Sequence, residues 1–319
     1  MHTMKKLLKP KIAVIGCGYW GKNIIRTLHE LNALHSVCDY DEKLALKFAE
    51  QFNVKVFQFD QIEGQLELDG VCIASPAETH RDIAIKLISL NIPLFIEKPL
   101  ATTNEDAEEI KNAAIRNKNI VQVGHLLRYH KGFIAVQKLI EDGVIGKIIH
   151  IHSTRKSFGK VRNNENVMWS FAPHDISMIL ALAQERPIEI SSYNETSLHN
   201  NIVDTGEIFL KFKKFSAKIS VSWLSAIKEH KLIITGSEET IVFDDTQDWN
   251  KKVKVIKNRI KLDRDLLEIE KGIEEFIEIE ESQPLYDELS HFIDCIENGN
   301  EPLTNVSEGV SVIEVLERL

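Results

Sequence analysis

Residues 11–21 read KIAVIGCGYWG, an apolar run from Ile12 to Ile15 followed by glycines at 16, 18 and 21. This is G-x-G-x-x-G spacing, set between a strand-like and a helix-like segment. Gly16 lets the chain turn sharply off a strand end. Gly18 keeps side chains out of the path of a pyrophosphate, and Gly21 lets the next helix pack close to the sheet. The N-terminus of that helix then aims its free N–H groups at the phosphates. Alone, three spaced glycines are a weak signal. A second run, Ser36-Val37-Cys38-Asp39, strengthens it, because Asp39 lies about 20 residues beyond the glycines, where a dinucleotide fold sets the acid for the adenosine ribose. A carboxylate there repels a 2′-phosphate and so points to NAD rather than NADP. The alternative is that Asp39 only opens the loop Asp39-Tyr40-Asp41-Glu42 and caps the next helix.

Outward from this stretch, short apolar runs alternate with amphipathic segments. The runs are 12–15, 34–38, 54–57, 71–74, 94–96 and 120–123, and helix-like stretches cover 23–31, 42–52, 80–90 and 104–117. Such alternation predicts a doubly wound parallel sheet, an α/β Rossmann domain over residues 1–124. Ligands of these sheets bind at the carboxyl ends of the strands. That singles out Gly16, Asp39, Ser75-Pro76, Glu97-Lys98-Pro99 and Gly124-His125.

From Lys131 the pattern changes. Helix-like segments at 131–142 and 167–183 flank a strand-like run at 147–156. Strand-like runs then follow one another at 188–192, 202–212, 217–224, 230–236, 240–243 and 253–260. Consecutive strands without helices between them predict an α+β domain over 125–319 with a large, open, mainly antiparallel sheet. The acidic segment 263–281 reads as a solvated edge or loop. Helix-like runs at 285–296 and 306–319 close the chain, the last able to pack back on the first domain.

Composition excludes several classes. The 319 residues are 43% hydrophobic and 27% charged, as in a soluble globular protein, and the formal net charge is −9, which argues against general nucleic-acid binding. No apolar run reaches membrane-span length. The N-terminal MHTMKKLLKP lacks the apolar core of a signal peptide. Cys17, Cys38, Cys72 and Cys295 have neither metal-ligand nor disulfide-framework spacing, so they read as core residues of a cytoplasmic protein that holds no metal.

The ordered set of G-x-G-x-x-G, Ala74-Ser75-Pro76, His80, Glu97-Lys98-Pro99 and the ending PLYDELSHFIDCIENGNEPLT (284–304) resembles the Gfo/Idh/MocA oxidoreductase family over nearly the whole chain. The resemblance implies NAD as cofactor, contacted by Gly16, Gly18, Tyr19, Trp20, Gly21, Asp39, Ser75, Pro76, His80, Glu97, Lys98 and Trp169. It places Lys98 between nicotinamide and substrate, and Glu97 at the nicotinamide ribose. Oxidising a sugar hydroxyl requires a hydride acceptor at carbon and a base at oxygen. A lysine beside a cationic ring is expected to have a depressed pKa. The second catalytic residue it implies is His174, in Trp169-Ser170-Phe171-Ala172-Pro173-His174-Asp175. Pro173 and Asp175 are expected in the first turn of a helix, with His174 projecting from that turn as a proton shuttle. Many relatives carry aspartate where this chain has Ser170, which throws weight on Lys98 and His174. Asp175 is either an orienting group or a plain helix-start acid.

The run Thr154–Arg162 holds four basic residues and no acid, so it is either an anion-binding loop at the cleft or a solvated one. Residues 122–129 and the R-x-x-E-N-V-x-W run, 162–169, resemble the subgroup that oxidises the 3-hydroxyl of a UDP-N-acetylhexosamine or its uronic acid. By position on that motif, Tyr129, Arg155, Arg162 and Asn166 are the expected substrate contacts, alongside Lys98, His174 and Asp175. A free polyol such as inositol is the alternative substrate, and a non-catalytic NAD-binding regulator is the alternative of another class. The open sheet implies a homodimer or homotetramer formed through it.

Overall fold

The first strand, β1 (Ile12–Ile15), is buried along its whole length, as a strand covered on both faces must be. Around it, in a computed structural model, lie α1 (Gly21–Glu30), β2 (Leu34–Cys38), α2 (Glu42–Phe52), β3 (Lys55–Val56), β4 (Gly70–Ile73), α3 (His80–Ser89), β5 (Leu94–Glu97), α4 (Asn104–Asn117) and β6 (Val121–Gly124). The structure describes residues 9–64, 67–159, 161–162, 165–198, 201–263, 266–270 and 272–319. The basic N-terminal segment up to Leu8 and Lys160 of the basic run lie outside the described residues. The six strands form one parallel sheet in the order β3-β2-β1-β4-β5-β6. Strand order reverses between β1 and β4, and the crevice of a doubly wound sheet opens at such a reversal.

Local chemistry fixes the helix ends. Asp41 caps α2 by accepting from the N–H of Lys43 at 3.0 Å, and Asn53 ends it in the left-handed region at φ 53°. Thr103 caps α4 through the N–H of Asp106.

The chain continues through α5 (Lys131–Glu141), β7 (Ile148–Phe158), α6 (Val167–Ala183), β8 (Glu189–Glu195), β9 (Thr205–Lys211), β10 (Ser216–Ser222), β11 (Leu224–Gly236), β12 (Thr240–Asp244), β13 (Val253–Ile256), β14 (Arg259–Asp263), β15 (Leu266–Glu270) and β16 (Glu274–Phe276). Eight of these strands form a sheet in the order β16-β13-β12-β11-β7-β10-β9-β8. Every pairing in it is antiparallel except β7 with β10. One departure from expectation is the run 253–260, which splits into β13 and β14. Another is the acidic segment, which supplies β15, paired with β14, and the edge strand β16. Glu274, Glu275 and Phe276 of this edge strand are all exposed, and a solvated, charged edge is not distinguished from a loop by composition alone.

Finally α7 (Pro284–Asn298) and α8 (Val306–Leu316) close the chain. Two compact units result. One ends at His125 and takes in Leu285–Ile313, and the other comprises Leu126–Pro284 and Glu314–Leu319. Thus α7 belongs with the parallel sheet, where Leu289, Phe292 and Ile293 join Val14, Cys72 and Phe95 in one core. The rings of Phe95 and Phe292 stand 6.1 Å apart. All four cysteines are buried and unpaired. Among the described residues no helix is long and apolar enough to cross a membrane.

The three glycines of the turn differ in what they tolerate. A Cβ on Gly21 would lie 1.9 Å from the Gly16 carbonyl oxygen, whereas one on Gly18 meets nothing within 4 Å. Gly21→Ala is therefore expected to lower the melting temperature by about 5 °C or more, and Gly18→Ala to leave it nearly unchanged while weakening dinucleotide binding. Thermal denaturation of the two variants checks the contrast.

Candidate active site

At the end of β1 the chain turns at Gly16, with φ +97°, and a Cβ there would strike the backbone of Ala74 and Ser75 at 2.5–2.6 Å. The glycine turn and the end of β4 are thus pressed together. Asp39, at the end of β2, holds the turn from the other side. Its Oδ2 accepts from the Cys17 N–H at 2.6 Å and its Oδ1 from the Asp41 N–H at 2.9 Å. The helix-capping alternative for Asp39 fails, because Asp41 is the cap. Asp39 shapes the turn itself, a role its spacing does not reveal. The open space at Gly18 and the anchored carboxylate of Asp39 fit a dinucleotide.

Tyr19 is 74% exposed, and the Lys22 ammonium lies 4.8 Å from its ring centroid. Trp20, at the N-cap of α1, donates its indole N–H to Glu97 Oε1. Glu97 ends β5 and its Oε2 accepts from the Lys98 N–H at 3.2 Å. Its side chain is nearly sequestered, and burial pushes its pKa up to about 7 against the opposing pull of Trp20 and Lys98. Lys98 is partly exposed at the carboxyl end of the sheet. Ser75 Oγ shares a hydrogen bond with Thr79 Oγ1 at 2.7 Å, and the Pro76 carbonyl accepts from that hydroxyl. His80 is buried, with each ring nitrogen near a backbone carbonyl, Pro99 at 2.9 Å and Ser75 at 3.0 Å.

One residue near this group escaped the sequence reading. Glu288, on α7, is 1% exposed, both its carboxyl oxygens lack a hydrogen-bond partner among the described residues, and burial beside Glu97 raises its pKa well above the ordinary value. The signal was present, since Glu288 falls four residues before Phe292 on the apolar face of its helix.

The second unit carries the remaining candidates. Its helix α6 begins at Val167, where Asn166 caps it by accepting from the Trp169 N–H at 3.0 Å. Pro173 therefore sits inside the helix rather than in its first turn. Lacking an N–H, it leaves the Trp169 carbonyl without its usual helical donor. His174 and Asp175 lie in the helix interior as well. The first-turn placement failed because an asparagine cap outranks proline as a start signal here. Asn166 is occupied as a cap, Trp169 is partly exposed, and Ser170 and Tyr129 are buried.

Arg155 lies in the strand β7 rather than in a loop. Its Nε donates to Asp175 Oδ2 at 2.7 Å and an Nη to Oδ1 at 3.3 Å, while Ser153 Oγ donates to Oδ1 at 2.6 Å. Both charges are buried. The fork expected to face an anionic ligand is committed to Asp175, and Asp175 is neither a first-turn acid nor solvent-exposed. Across the sheet, His230 pairs in register with Arg155, and burial and that cation push its pKa down to about 4. Arg162 is exposed and paired with Glu165.

These features are those of a known family. A family model described as an oxidoreductase family with an NAD-binding Rossmann fold matches residues 10–125, and the model of the GFO/IDH/MocA C-terminal domain matches 133–242. The chain belongs to the Gfo/Idh/MocA oxidoreductase family. Its cofactor is NAD. Among Gfo/Idh/MocA relatives, a 2,7-anhydro-N-acetylneuraminate hydratase of Mediterraneibacter gnavus is 25% identical over 253 residues, 73% of this chain and 66% of that protein. Inositol 2-dehydrogenase 2 of Saccharopolyspora erythraea is 34% identical over 155 residues, 46% of this chain and 45% of that protein. In fold, a UDP-N-acetylglucosamine 3-dehydrogenase from Acidithiobacillus ferrooxidans superposes with a TM-score of 0.86 at 18% identity, over 97% of this chain and 96% of that one.

Two outcomes follow from the buried charges. With its pKa raised to about 7, Glu97 keeps in the folded chain a proton that the unfolded chain releases near the ordinary carboxyl value of 4.5. Stability contributed below the unfolded value is lost as pH rises through about 7. The melting temperature of Glu97→Gln, taken relative to the parent, is expected to rise between pH 5 and pH 8, and a difference that stays constant would contradict the assignment. For the ion pair, Arg155→Met leaves Asp175 buried and uncompensated and is expected to cost about 3–5 kcal/mol. Adding Asp175→Asn is expected to recover part of that loss in denaturant titrations.

Proposed function

We propose that the chain is an NAD-dependent dehydrogenase of a sugar CH–OH group, with the 3-hydroxyl of a UDP-N-acetylhexosamine or its uronic acid as the substrate position, serving nucleotide-sugar and surface-polysaccharide synthesis. The observation that carries this reading is the Trp20–Glu97 bond, which ties the glycine turn to the strand end bearing Lys98. NAD, when bound, supplies the hydride acceptor. The chain's own residues then deal with the hydroxyl proton, for which the proposal names Lys98 as base and His174 as shuttle. Arg162 and Lys156 remain as cationic groups for a diphosphate, and Tyr129, Asn166 and Asp175 are the further substrate contacts that the proposal names.

A specific observation favours a second reading. Because Arg155 is committed to Asp175, the basic run has lost one of its anion forks, which suits an uncharged polyol. The inositol dehydrogenase relative is consistent with it. We also propose that the open face of the large sheet, where Tyr193 and Phe209 are 61% and 45% exposed, pairs two or four copies of the chain.

The test is nicotinamide reduction at stoichiometric enzyme, so that a single trapped turnover is visible. The panel holds UDP-N-acetylhexosamines, their uronic acids, inositol and glucose. Reduction confined to UDP sugars is the expected result. Reduction with inositol or glucose instead would replace it with the polyol reading. Lys98→Met is expected to lower turnover by at least ~10²-fold, the lower bound for a lost general base.

A further inference from the structure

His80, the first residue of α3, sits between two of the strand-end segments. Its ring is 1% exposed, with Nδ1 2.9 Å from the Pro99 carbonyl oxygen and Nε2 3.0 Å from that of Ser75. Family resemblance suggests a cofactor ligand at this position, but neither nitrogen is available to one. Each faces a backbone acceptor inside the protein.

The two carbonyls belong to different parts of the site. Ser75 is the residue whose N–H a Cβ on Gly16 would strike at 2.5 Å, so its segment is pressed on the glycine turn. Pro99 follows Lys98 directly. Trp20 and Glu97 close the other side. The contacts therefore form a circuit, running from Gly16 to Ser75, through the His80 ring to Pro99, back along Lys98 to Glu97, and through Trp20 to α1. In that circuit the imidazole lies between the end of β4 and the segment after β5. A buried neutral ring carries a single N–H and can donate to one carbonyl at a time. Burial lowers the pKa of the group, which keeps the ring neutral, and the tautomer then decides which segment is bonded.

We propose that His80 is a positioning residue, a buried strut that sets the Lys98–Pro99 segment against the Ser75–Pro76 turn and so places the Lys98 side chain, without touching the cofactor. The inference rests on the reading of Lys98 as the base.

Three variants separate the possibilities. His80→Phe keeps the ring volume and removes both nitrogens. His80→Gln restores an amide donor. Lys98→Met removes the base itself. For each, NAD affinity is measured by titration, turnover and KM with the active sugar, and melting temperature by scanning. His80→Phe is expected to lower kcat about tenfold or more with NAD affinity within threefold, and His80→Gln to regain most of the turnover. Unchanged kcat in His80→Phe would overturn the strut, as would weakened NAD binding at unchanged kcat, which marks a cofactor ligand. If Lys98→Met keeps full activity, the reading of the base has failed. If Lys98→Met is inactive while His80→Phe is normal, only the strut has failed. Should His80→Phe not fold, nitrogen NMR of the parent protein decides. One neutral tautomer whose nitrogen shifts do not change on NAD saturation supports the strut, and shifts characteristic of a new ligand bond overturn it.

Discussion

The bond from the Trp20 indole to Glu97 is the contact on which the candidate site depends. A carboxylate at the end of a central parallel strand is costly to bury, and its raised pKa records that cost. The indole and the Lys98 N–H are the donors that keep it there. In return, the first turn of α1 is fixed to the end of β5, across the reversal in strand order where nucleotides bind. Gly16 and Gly21 complete the arrangement by allowing approaches that a side chain would block.

A second buried charge organises the other unit. Asp175 accepts from Ser153 and Arg155 of the neighbouring strand β7, so α6 is pinned to the large sheet one residue beyond His174. Such a pair adds little net stability over apolar packing but is strongly destabilising to break, which makes it better suited to fixing a position than to holding a fold. Pro173 lies just ahead, where the helix lacks one backbone bond. His174 is thus bracketed by a weakened helical turn and a fixed anchor.

Much of the fold was legible because its signals are local. The apolar runs at Ile12–Ile15 and Leu34–Cys38 and the helix-like stretch Val167–Ala183 each read out within a few residues. The glycine spacing, with Asp39, likewise announced the nucleotide fold. What stayed hidden are pairings between residues distant in sequence. Nothing near Arg155 signals that its fork meets Asp175, and nothing near His80 signals two carbonyls. The span of α6 was read, but Pro173 and Asp175 were assigned to a first turn where two local rules competed, a proline favoured at first turns and an asparagine favoured as a cap. Glu288 shows the opposite case, a charge placed on an apolar helical face that a stricter use of periodicity would have flagged.

The crevice at the ends of β1, β2 and β5 belongs to an NAD-binding Rossmann domain, and the role proposed for Asp39 at the adenosine ribose, with Trp20 beside it, makes the dinucleotide preference decisive. Titrating the protein with NAD and with NADP, followed by quenching of tryptophan fluorescence, tests it most directly. The account predicts NAD binding tighter by at least ~10-fold, or about 1.4 kcal/mol, with most of the signal lost in Trp20→Phe. Equal affinity for the two dinucleotides, or tighter binding of NADP, would contradict it.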